Sequence, residues 1–163
     1  TFLRVKQQLP TDENMGGFLA AHQMAVAQMA IEYCNALVDN MGDESTAAYW
    51  PGFDFSDNVA TAFGPASSRN VANRDLLLEP LINRITLPVS PGAGLSSQPS
   101  ITEMKSSLNT LIDELVNCRE YANRDSDTAL RNISYCSAYP DRTRIVAKAV
   151  CGAAIGNAAM LVQ

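Results

Sequence analysis

The segment "RIVAKAVCGAAIGNAAMLVQ", residues 144–163, is apolar nearly all the way round a helical wheel. A surface helix keeps one polar face, so a helix without one must be enclosed by neighbours. This single feature commits the chain to a fold in which other helices surround its last one. Asp141 is the expected cap, and the helix is expected to run to about residue 161. Gly152 and Gly156 stand one turn apart and permit close backbone approach. Lys148 and Asn157 interrupt an apolar run already too short for a membrane span, which needs about 20 residues.

The expected partner is the alanine-rich stretch of residues 14–38, part of a helix read over 11–39. Acidic residues in "TDE" suit its first turn, at the positive end of the helix dipole. At about 100° per residue, Met15, Phe18, Leu19, His22, Val26, Met29, Tyr33 and Leu37 share one arc, which should be the buried face. Gly42 is a plausible stop. Residues 47–68 read as short helical turns and loop around Pro51 and Pro65. Residues 73–87 read as a helix kinked at Pro80. Three prolines and two glycines make 88–99 a loop. "SITE", from Ser100 to Glu103, is a capping box that opens a further helix. Residues 119–140 are polar and read as loop, with a short helix near 127–133. No run alternates apolar and polar residues as a strand would. The fold class is all-α: a single domain over residues 1–163, a bundle of five to six helices with long irregular loops. The opening "TFLRVKQQLP" reads like the end of a helix begun upstream, as in a fragment of a longer multidomain protein.

A net charge of −5, with no dense cluster of Lys or Arg, disfavours nucleic acid and anionic membrane surfaces as partners. The four cysteines, Cys34, Cys118, Cys136 and Cys151, lie 84, 18 and 15 residues apart, without a C-x-x-C pair. Two disulfides fit this pattern best, ahead of free buried thiols and of a four-thiolate metal site. Of the three connectivities, Cys34–Cys151 with Cys118–Cys136 is preferred, because the first and last long helices should pack antiparallel and the other pair flanks the polar loop. Disulfides imply an oxidising compartment.

Candidate site residues are few. His22 is the only histidine. As a ligand or base it lacks partners, so it reads as a hydrogen-bonded core residue. "YWPGFDF" gathers Tyr49, Trp50, Phe53 and Phe55 within seven positions. Buried, they close one end of the bundle; exposed, Tyr49, Trp50 and Phe53 would stack on a sugar. Asp39, Asp43, Glu44, Asp54 and Asp57 read as a solvated acidic face, since the calcium-loop spacing is absent. "NIS" at Asn132 is a glycosylation acceptor only in a eukaryotic secretory pathway. No nucleophile elbow, phosphate-binding loop or dinucleotide fingerprint is present. No catalytic residue, metal or cofactor is expected.

The ordered series "QLP", "GFLAAHQMAVAQMAIEYCNALVD", "YWPGFDF", "NRDLLLEPLINRI", "LSSQPS" and "VCGAAIGNAAMLVQ" resembles a helical region of large secreted proteins of marine gammaproteobacteria. Those proteins often carry laminin-G-like, lectin-type modules beside it. The resemblance implies an extracellular or cell-surface location, a multidomain or assembled setting and no catalytic residues. The expected function is a non-catalytic structural or interaction module, in adhesion, scaffolding or self-assembly. Its partners would be other proteins or copies of itself, with glycans or calcium at the Tyr49–Phe55 segment as the alternative.

Overall fold

The computed structural model describes residues 15–40, 48–85, 99–119, 131–132, 139 and 141–160; the side chains of 15–22, 118–119, 131–132 and 157–160 are not among those described. Among the described residues five helices follow in order: α1 (Met15–Asp39), α2 (Val59–Phe63), α3 (Val71–Ile85), α4 (Ile101–Val116) and α5 (Arg142–Met160). The domain is all-α. Its strand content among the described residues is one two-residue antiparallel ladder, β1 (Cys118–Arg119) with β2 (Arg131–Asn132), pairing Cys118 with Asn132 and Arg119 with Arg131. Arg131 and Asn132 are therefore extended, not the end of a short helix over 127–133. The ladder brings together the two ends of the polar segment, and that pairing cannot be read from residue spacing.

The all-round apolar α5 is largely enclosed by the other helices, but Ile145 and Ala149 stay exposed. It lies along α1 and also packs against α2, α3 and α4. Thr143, Val146, Ala147, Val150, Cys151, Gly152 and Ala154 are buried. Its N-terminal half is tied to the aromatic segment by Thr143, whose hydroxyl donates to the Asp57 carbonyl at 2.6 Å.

That aromatic segment closes the opposite side of the core. Trp50 is 1% exposed and donates its indole N–H to the Leu77 carbonyl at 3.0 Å. Phe55 tilts against Trp50 at 5.4 Å between centroids, and Phe53 meets Phe55 edge-on at 4.8 Å, geometries favoured by ring quadrupoles. Leu77, Leu78, Leu81 and Ile82 of α3 and Leu108, Ile112 and Val116 of α4 complete this core. α3 continues through Pro80 rather than ending there.

Local signals hold where they are self-contained. Ser100 Oγ accepts from the Glu103 amide at 3.2 Å, and Glu103 Oε2 accepts from the Ser100 amide at 2.8 Å, the two halves of the capping box. α2 is only five residues long and ends at Gly64, whose φ of +66° is open to glycine at little cost. A Cβ there would meet Ser68 O at 2.4 Å and Asn70 N at 2.8 Å.

The buried face of α1 differs from the arc read in the sequence. Ala30, Cys34, Leu37 and Val38 are inside, while Met29 and Tyr33 are 40% and 51% exposed. The helix is turned by about a quarter turn from that expectation, with Leu37 shared by both arcs. The cause is the partner surface. Along α5, a Cβ added at Gly152 would stand in ordinary contact with Ile31 and one at Gly156 with Ala30, and Cys34 meets Cys151. Close contact by small side chains here outweighs burial of larger ones. His22 and the "TDE" and Gly42 signals fall outside the described side chains and residues.

Candidate functional site

Two arrangements concentrate the chemistry-bearing groups. The first is the α1–α5 seam. Cys34 and Cys151 form a disulfide across it, with Cα atoms 5.8 Å apart and a sequence separation of 117. Both residues are fully buried. This pairing agrees with the preferred connectivity; Cys136, and with it the Cys118–Cys136 bridge, lies outside the described residues. At the end of α1, where the helix dipole is negative, the acidic Asp39 is offset by Lys148 of α5, Nζ to Oδ1 2.6 Å. Beside the disulfide runs an open groove of about 740 Å³, lined by Ala27, Ile31, Ile145, Ala149, Gly152 and Ala153 among others. Ile31 and Ile145 remain 53% and 49% exposed. The groove is apolar, with Asn35 and Lys148 as its polar lining, and Lys148 is engaged by Asp39.

The second is a buried ion cluster around Arg74. Its side chain is fully buried. Nε donates to the Phe63 carbonyl at 2.7 Å and Nη2 to the Gly64 carbonyl at 3.0 Å. Nη1 reaches Asp113 Oδ1 at 2.8 Å and Asn109 Oδ1 at 3.2 Å, both on α4. Arg69 Nε binds the other oxygen of Asp113 at 3.0 Å. The remaining end groups of α2 are matched as well: Asn70 Nδ2 donates to Thr61 O and Asn73 Nδ2 to Ala62 O, each at 2.9 Å. The terminal carbonyls of a helix must find donors elsewhere, and here the first turn of α3 supplies them. Burial pushes the Asp113 carboxyl up, but hydrogen bonds from Arg69 and Arg74 outweigh that and hold it below the usual range. Burial lowers the Arg74 pKa, against the pull of Asp113. Every polar atom of the cluster named here is turned to a protein partner, so the arrangement clamps α2, α3 and α4 together.

A third, exposed group links α3 and α4. Lys105 Nζ bridges Asp75 at 2.9 Å and Glu79 at 3.2 Å, and the bond to Asp75 raises its pKa.

The sugar-stacking residues are placed differently from an aromatic platform. Trp50 and Phe53 lie in the core, and the half-buried Tyr49 ring is covered by the Arg84 guanidinium, 3.7 Å from its centroid. The acidic residues do not converge either. Asp39 pairs with Lys148, and Asp54 accepts from both the amide and the hydroxyl of Ser56 at 2.8 and 2.6 Å. Asp43 and Glu44 lie outside the described residues. Among the described residues no cluster of His, Cys, Asp and Glu is arranged to hold a metal ion, and no helix is long and apolar enough to cross a membrane.

Arg74 was not singled out from the sequence, yet a signal exists. It stands at i relative to Leu77, Leu78 and Leu81 at i+3, i+4 and i+7, a cation on the apolar face of its helix. Such a placement requires buried acceptors. Comparison with protein-family models, with curated proteins and with solved structures finds no match.

Proposed function

We propose that this chain is a non-catalytic, extracellular structural or interaction module of a bacterial surface protein, serving adhesion, scaffolding or self-assembly through contact with proteins, copies of itself included. The Cys34–Cys151 disulfide carries the reading. Disulfides of this kind form and persist in oxidising compartments and are rare in the cytosol. Further support comes from the ionisable groups of the Arg74 cluster and the Lys105 bridge, which are spent on joining helices. The exposed apolar side chains beside the seam, Ile31 and Ile145, suit contact with protein. The resemblance to secreted multidomain proteins points the same way. Glycan binding at Tyr49, Trp50 and Phe53 has no exposed tryptophan face to support it.

The test is the intact mass and the sedimentation of native material prepared without reductant. The expected mass lies below that of the reduced chain by a pair of hydrogens for each disulfide, with association that grows with concentration. A fully reduced native chain overturns the extracellular reading, and a strictly monomeric one overturns self-assembly.

A further inference from the structure

The attachment of α1 differs from that of every other helix. Its extended contact is with α5, and its contact with the other helices is slight. Its described buried side chains are Ala25, Ala30, Cys34, Leu37 and Val38, mostly small. The disulfide lies within this seam, and the ion pair across it between Lys148 and Asp39 is solvated at its Asp39 end. The remaining helices are joined by larger means. α2, α3, α4 and the inner face of α5 share Trp50, Phe63, Leu77, Leu81, Ile112 and Val146, all essentially inaccessible to solvent, and the Arg74 clamp adds hydrogen bonds between α2, α3 and α4.

We propose that the Cys34–Cys151 disulfide is a redox latch on α1: reduced, it lets α1 leave the bundle while α2–α5 stay folded. A dithiol reductant supplies the electrons. Its thiolate attacks one sulfur, the Cys34–Cys151 bond breaks, both cysteines end as protonated thiols, and the reductant leaves as its own disulfide. Because both residues are buried, attack follows a local opening of the seam rather than contact with the closed surface. Release uncovers the side of α5 where Gly152 faces Ile31 and Gly156 faces Ala30. Small side chains bury little apolar area, so the covalent tie supplies a large share of what holds α1 along its extended contact with α5, whereas the aromatic and leucine core keeps Trp50, Phe63, Leu77 and Ile112 and loses Cys34, Leu37 and Val38.

Hydrogen exchange of the full chain, with and without dithiothreitol, tests this, with intact mass recording reduction. On reduction, amides of residues 25–38 should exchange about tenfold faster or more, while those of 74–82 and 108–116 keep their protection. The emission of Trp50, which lies in the retained core, should not shift. The double variant Cys34→Ala, Cys151→Ala should show the same pattern without reductant. Three results overturn the proposal: α1 protection unchanged after full reduction, loss of protection by α1, α3 and α4 together, or a bond that dithiothreitol reduces only after denaturation.

Discussion

Arg74 donates through Nε to the carbonyl oxygen of Phe63 at 2.7 Å, so that a fully buried cation sits at the negative end of the preceding helix. The same guanidinium holds Gly64 on α2's side and Asp113 on α4. Three helices thus meet on one planar group with donors in fixed directions, a task for which lysine has the wrong geometry.

Replacing Arg74 with leucine should cost about 3 kcal/mol, because the Gly64 carbonyl loses its guanidinium donor, Asp113 is left to Arg69 alone and Phe63 O to the Asn70 amide. Urea unfolding monitored by Trp50 emission measures this. Arg69→Ala, which removes the solvated partner of Asp113, should cost about 1 kcal/mol or less.

Acid should weaken the fold through Asp113. Its folded pKa is depressed, since the hydrogen bonds of Arg69 and Arg74 outweigh burial. The stability it contributes is present above the ordinary carboxyl value of about 4 and is lost as pH falls through the folded value. Asp113→Asn should lower the urea midpoint at neutral pH and show a smaller fall below about pH 4 than the parent chain. An unchanged acid profile would show that other carboxylates control it.

Gly64→Ala should destabilise more than Gly52→Ala. Both positions have positive φ, +66° and +85°, which costs an L side chain about 1–3 kcal/mol. At Gly64 the new methyl also meets backbone at 2.4 Å, whereas at Gly52 the nearest atoms are Leu76 side-chain carbons at 3.8 Å. Thermal unfolding of the two variants, compared side by side, reads the difference.

Trp50 should emit in the blue and resist quenching by acrylamide, because its ring is 1% exposed and its N–H is bound to Leu77 O. Titration with oligosaccharides should leave that emission unchanged. A quench or shift that saturates would restore the aromatic segment as a binding site.

Much of this protein was legible in one dimension. The all-round apolar α5, the Ser100–Glu103 capping box and the absence of alternating strands follow from local periodicity and from hydrogen bonds spanning three residues. They depend on no distant partner, so the linear order of residues contains them. The Cys34–Cys151 pairing followed from placing the first and last helices side by side. What remained for the tertiary structure was which face each surface meets. Periodicity ranked the α1 faces by side-chain size and favoured Met29 and Tyr33. Packing on α5, with Ala30 opposite Gly156 and Cys34 bonded to Cys151, selected Ala30 and Cys34 instead, because fit to a partner helix is a property of the pair. Likewise Arg74 is a cation among leucines until Phe63, Gly64 and Asp113 are brought around it. Burial of a charge is decided by acceptors from two other helices, and only folding assembles them.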